Sequence, residues 1–223
     1  MAKCIFLRIG LMAASACLLS VALIAQDESR PQRNRFVIGG GVGLPAGDLK
    51  RWMSPAALVR VGYGRRVSRH FQMDLGLDAV VGAAGINITQ QSLVGELRIH
   101  DVEYMVPFGG RAILPLAEDR FELFAGGGGI YLRYDEEAEI PGLKCYGSCY
   151  YEIPCPSCTS RGGWGYYGTA GVNFALDRRH RVWLGLEARY TKGTTSGTLL
   201  STVAGFETED RWLSTSMNLV FRF

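Results

Sequence analysis

Four cysteines fall within fourteen residues, as Cys145-Tyr-Gly-Ser-Cys149 and Cys155-Pro-Ser-Cys158. In an oxidising compartment such a group reads as two disulfides, with three connectivities open. Cys145–Cys149 with Cys155–Cys158 is one of them, and links between the two pairs would brace the segment better. The alternative is a tetrathiolate zinc site, since Cys-x3-Cys and Cys-x2-Cys spacings suit tetrahedral metal. A redox role for Cys155-Pro-Ser-Cys158 would call for a thioredoxin-like βαβ pattern, which the flanking sequence lacks. Tyr146, Tyr150, Tyr151 and Ile153 share the segment. A stapled knob of that composition would offer contact area at low entropic cost.

The histidines carry less. His100 stands beside Asp101, with Ser92 a short way upstream. A serine hydrolase needs Ser, His and an acid to converge in space, and local spacing does not supply that. His70 and His180 fall in short polar turns. Asn87-Ile88-Thr89 matches a glycosylation acceptor only formally. No catalytic or cofactor-binding residue is assigned.

The N-terminus assigns the compartment. Lys3 and Arg8 precede an uncharged apolar run that ends at Ala25, and Asp27, Glu28 and Arg30 follow. Residues 1–25 therefore read as a secretory signal peptide, and 26–34 as a polar leader. Cys4 and Cys17 belong to the signal segment, which leaves only the clustered four. Loss of Lys3 and Arg8 lowers the net charge from +3 to about +1, so nothing favours nucleic acid as a partner. No later segment has the roughly 18 consecutive apolar residues of a membrane helix.

Eight segments of period-two alternation occupy residues 35–223. They run Arg35–Leu44, Ala57–Val67, Phe71–Val81, Asp101–Leu114, Arg120–Tyr134, Trp164–Leu176, Arg181–Thr191 and Arg211–Phe223. Short polar connections alternate strictly with long ones at 45–56, 82–100, 135–163 and 192–210. One face of each segment is apolar, for example Phe71, Met73, Leu75 and Leu77 against Gln72, Asp74 and Asp78. In the last segment Leu213, Met217, Leu219, Phe221 and Phe223 share a row. An exported chain with one apolar and one wet face per strand, and no membrane helix, calls for a closed barrel. The predicted fold is therefore all-β: an eight-stranded antiparallel up-and-down transmembrane β-barrel. The 29 glycines suit a curved, tightly paired sheet.

The glycine-rich opening Phe36-Val-Ile-Gly-Gly-Gly-Val-Gly-Leu-Pro-Ala-Gly-Asp-Leu49 and the terminal aromatic strand resemble the small outer-membrane β-barrels, the family of the OmpA and OmpX transmembrane domains. The resemblance covers about Phe36 to Phe223 and rests on patterns rather than an invariant signature. It implies a location in the cell outer membrane, contact with its lipids, and a terminal signal for the barrel-insertion machinery at Met217, Leu219, Phe221 and Phe223. Nothing in the local spacing matches the lipid-modifying enzymes built on such barrels. With no sequence after Phe223, cell-wall anchoring by a further domain is not expected.

The alternation turns Arg60, Arg111, Arg189 and Arg222 inward with Asp74, Asp78, Glu103, Glu122 and Glu187. Eight strands leave an interior that side chains can just fill. Pairing of these charges into a plug is the expectation, and the resemblance implies it too. The predicted role is a monomeric, porin-like or OmpA-like scaffold that displays loops to an unknown extracellular ligand. The alternatives are a narrow channel for small solutes and a lipid-modifying enzyme.

Overall fold

The computed structural model describes residues 33–51, 53–83, 90–92, 95–117, 120–139, 159–199 and 205–223. The cysteine cluster and the proposed signal peptide lie outside the described residues. So do the side chains of Ser92 and His100.

Eight long strands form the barrel: β1 Asn34–Pro45, β2 Ala56–Ser68, β3 Phe71–Val81, β4 Gly95–Leu116, β5 Phe121–Glu139, β6 Thr159–Ala175, β7 Val182–Leu199 and β8 Gly205–Arg222. Each pairs antiparallel with its sequence neighbours, and β1 closes the circle on β8 from Arg35↔Arg222 to Pro45↔Trp212. The eight-stranded antiparallel barrel expected from the alternation is the observed fold. A three-residue strand, Gln90–Ser92, pairs only with Gly95–Leu97 of β4. The loop after β1 folds into a 3-10 helix, Gly47–Arg51, whose Leu49 is buried.

The faces follow the sequence rows. Met73, Leu75 and Leu77 on β3 and Leu213, Met217 and Leu219 on β8 all point outward, each at least 42% exposed. Tyr63, Phe71, Phe108, Trp164, Tyr166 and Tyr190 are outward too. At one end of this belt Trp164 meets Tyr131 edge-to-face at 5.0 Å. At the other, Phe121 meets Phe174 at 4.9 Å. Large apolar side chains that cover a closed barrel on its outside, bounded by aromatics, require an apolar solvent there.

The strands run past the limits that the alternation indicates. β4 begins at Gly95 rather than Asp101, and β5 reaches Glu139 rather than Tyr134. β6 starts at Thr159, β7 continues to Leu199, and β8 starts at Gly205. Segments 82–100, 135–163 and 192–210 are therefore loops only in part. Beyond the apolar belt the outward face is polar and the inward one buries polar side chains such as Arg161, Thr195 and Asp210, so pairing continues while the hydrophobic period disappears.

Close backbone approach explains one glycine pair. Gly109 of β4 lies opposite Gly128 of β5. A Cβ at Gly128 would sit 2.2 Å from the Phe108 carbonyl oxygen, and one at Gly109 would sit 2.3 Å from that of Gly127. A side chain there has to push backbone aside. Gly128→Val is expected to abolish most of the compact, heat-modifiable form on a semi-native gel. Unchanged folding would refute the close-approach reading.

Candidate functional site: a charge network across the lumen

The interior holds the charges that the sequence placed there, and it sorts them into three groups. The largest joins opposite walls of the barrel. Arg60 on β2 grips Asp78 on β3 with both arms of its guanidinium, Nε to Oδ1 at 2.9 Å and Nη2 to Oδ2 at 2.8 Å. Its third nitrogen, Nη1, donates to Ser216 Oγ on β8 at 2.8 Å and lies 2.9 Å from Glu187 Oε1 on β7. Arg189 on β7 reaches back to Asp78 Oδ2 at 2.6 Å and to Glu187 Oε1 at 2.8 Å. Arg111 on β4 pairs with Asp74 on β3, and its Nη1 is 3.7 Å from Glu187 Oε2. Thr169 on β6 donates a further hydrogen bond to Glu187 at 2.9 Å.

Three arginines thus face three carboxylates, with Glu187 touched by all three guanidiniums. β3 and β7 stand on opposite sides of an eight-strand circle, so the Asp78–Arg189 contact spans the lumen. Aromatic faces cover the remaining cation surface: Arg111 lies 4.5 Å from the Phe124 centroid and Arg189 lies 4.9 Å from that of Tyr167. Bidentate, charge-assisted bonds and stacking are what let buried charges persist away from water. The space left beside Arg60, Asp74, Asp78, Arg111, Glu187 and Arg189 is about 30 Å³, room for a water molecule or so.

The second group lies toward the short turns. Glu122 on β5 holds both Arg66 and Arg222. Arg222 also stacks on Trp183 at 3.7 Å, and Trp183 Nε1 donates to the His180 carbonyl at 2.7 Å. The third group lies toward the long loops. Glu103 on β4 accepts from Trp212 Nε1 at 3.0 Å. Asp210 on β8 takes the Thr195 hydroxyl at 2.6 Å and lies 3.4 Å from Arg161 of β6. Arg161 stacks on Tyr134 at 4.5 Å.

All nine predicted lumen residues face inward: six form the central group, Glu122 and Arg222 sit at one end, and Glu103 at the other. Sequence reasoning missed Arg35, Arg66, Asp101, Arg161 and Asp210. Strand parity could have found Arg35 and Arg66, which sit on the inward rows of β1 and β2, and Asp101, which shares a row with Glu103. Arg161 and Asp210 fell in segments read as loops. The apolar character of one interior layer was also unexpected. Leu58, Val80, Met105, Ile130, Leu132 and Trp212 fill the lumen on the long-loop side and pack against Leu49 of the 3-10 helix. Val37, Trp183 and Val220 do the same at the short-turn end. The central charges are therefore enclosed between two apolar layers.

His70 and His180 belong to short turns. The His70 ring contacts the Ile113 carbonyl at 3.2 Å, and His180 packs on Trp183. Among the described residues no group of three His, Cys, Asp or Glu side chains could hold a metal. Beyond the apolar belt, on β8, Glu209 is drawn down to about 2 by hydrogen bonds from Arg211 and Lys192. It stays ionised at any ordinary pH, so this exposed cluster is no pH switch.

No family model matches the sequence, and no curated protein matches it. Solved structures do share the fold. The structure of Neisserial surface protein A superposes with a TM-score of 0.52 at 10% identity, covering 85% of this chain and 97% of that one. The outer membrane protein OprG from Pseudomonas aeruginosa gives 0.51 at 15% identity, covering 86% and 97%. This chain therefore shares the fold of these small outer-membrane β-barrels.

Proposed function

We propose that the protein is a lumen-closed scaffold that crosses the outer membrane and holds a β-wall and its loops for contact with an extracellular partner. The observation that supports it is the Arg60–Asp78–Arg189–Glu187 network, which bridges opposite walls between two apolar layers. An open solute path would have to break several buried ion pairs and displace Trp212 or Trp183. In planar bilayers in molar KCl the protein is expected to give no stable conductance. Discrete, reproducible steps would turn the reading to the narrow channel instead.

The long-loop end supports the display role. β1, β2 and β3 stop near the edge of the belt, whereas β4 to β8 continue as a five-stranded wall. Its exposed side carries Arg133, Asp135, Thr194 and Ser196, with Arg133 bonded to Asp135 at 2.9 Å. A polar face on stiff strands suits protein or glycan contact better than burial in lipid. With short turns periplasmic and long loops outside, as such barrels are built, the cysteine segment lies at the outer surface. The chain is exported by residues 1–25, inserted through its terminal row and monomeric. Alkylation followed by mass spectrometry is expected to find Cys145, Cys149, Cys155 and Cys158 blocked until reductant is added. Free thiols, or thiols released by a chelator, would favour the zinc alternative.

A further inference from the structure

The short-turn end of the barrel carries a surplus of arginine. At the short-turn end Arg33, Arg65, Arg69, Arg120, Arg178 and Arg179 are all exposed. Among the described residues, the acids at that rim are Asp177 and the buried Glu122, which is held by Arg66 and Arg222. Asp177 is occupied in its own turn, where it accepts the Arg181 and Val182 N–H groups at 2.8 Å each. None of Arg65, Arg120, Arg178 and Arg179 pairs with a described acid. Such a surplus of arginine is not needed to close a turn, since Asp, Asn, Gly or Ser serve there.

We propose that this arginine rim binds the anionic phosphodiester headgroups of the phospholipid leaflet around it, an inference that rests on the short turns facing the periplasm. Three features of the placement point to lipid. Arg65 sits on the outward row of β2 between Tyr63 and Val67, beside Met73 of β3, so a cation stands at the edge of the apolar belt, where its guanidinium can reach headgroups. The other cations come from the approach to β1 and from the β2–β3, β4–β5 and β6–β7 turns, so they encircle the barrel. A globular acidic partner would be met by one patch, whereas a leaflet meets the whole circumference. Finally, arginine forks match phosphate oxygens, and each cation near an anionic surface strengthens binding about fivefold.

The test uses the full-length mature protein, folded in zwitterionic detergent and titrated with phosphatidylglycerol or phosphatidylcholine, with bound lipid counted by native mass spectrometry. Phosphatidylglycerol should be retained at least tenfold better. Raising salt from 0.1 to 1 M shortens the screening length from about 10 to about 3 Å and should erase most of that preference. R65Q/R120Q/R178Q/R179Q should lose it as well, while K192Q/R211Q at the opposite end keeps it. If the fourfold variant does not fold, R65Q/R120Q and R178Q/R179Q are each expected to lose about half of the preference on a logarithmic scale. Equal retention of the two lipids overturns the proposal. So does a preference that survives salt or the rim variants, or retention on peptidoglycan sacculi without lipid selectivity. An epitope inserted between Arg178 and Arg179 should react with antibody only in permeabilised cells. Reaction on intact cells would overturn the orientation on its own, whatever the lipid titration shows.

Discussion

Glu187→Gln is expected to lower the stability of the vesicle-folded barrel by about 3–5 kcal/mol, the usual cost of removing one partner from a buried ion pair. The amide keeps the shape of the carboxylate but not its charge, so three guanidiniums lose a shared counter-ion. Asp78 and Asp74 remain, and neither can move to compensate, because each is held by its own arginine. The urea midpoint for unfolding from lipid vesicles reads the effect. Glu209→Gln, on the exposed wall, should leave the midpoint where it is. Removing a cation as well should restore part of the loss: Glu187→Gln with Arg189→Met leaves Arg60 and Arg111 with Asp78 and Asp74, two against two. The double variant should therefore be more stable than the two single effects added together. Additive losses would show that these residues do not act as a unit, and the plug would lose its main support.

Much of this barrel is legible in the sequence because lipid imposes a simple rule on it. Within the apolar belt, Asp74 and Asp78 of β3 and Glu187 and Arg189 of β7 fall on one parity, and Met73, Leu75, Leu77, Leu184, Leu186 and Tyr190 fall on the other. A slip of one position would put Asp74, Asp78, Glu187 and Arg189 in lipid, so the register is set by the pattern alone. Three things escape that rule. The outer reaches of β7 and β8 turn one face to water, as at Thr194, Ser196 and Glu209, and bury polar side chains such as Thr195 and Asp210 on the other, so they pair as strand without any hydrophobic period. The inward row is not polar throughout: Leu58, Met105, Leu132 and Trp212 fill the lumen on the long-loop side, where packing rather than solvation selects the residue. And the partners within the network are set by closure of the circle. Asp78 and Arg189 lie 111 positions apart in sequence, and no local spacing foretells their contact. Parity placed these residues inside, and only the folded barrel shows which of them meet.

Met217→Arg separates a membrane barrel from a soluble one more sharply than any other single change. Met217 is 59% exposed, in the middle of the outward row of β8, flanked by Leu213 and Thr215 on one side and by Leu219 and Phe221 on the other. Its partners across the sheet are Gly40 and Leu186, which offer no counter-charge. In water, an arginine at so exposed a site would be tolerated. At the bilayer midplane it costs about 2–4 kcal/mol, falling to about 0–1 near the interface. Leu213→Arg supplies the comparison. That residue lies on the same row next to Tyr190, close to Lys192 and Arg211, where a guanidinium can reach headgroup and water. The expected result is a large drop in the urea midpoint for Met217→Arg and little change for Leu213→Arg, although Met217, at 59%, is if anything more exposed than Leu213, at 43%. Exposure alone predicts equal effects, and depth in a bilayer predicts a gradient. Equal tolerance at both positions would mean that the apolar belt faces something other than lipid.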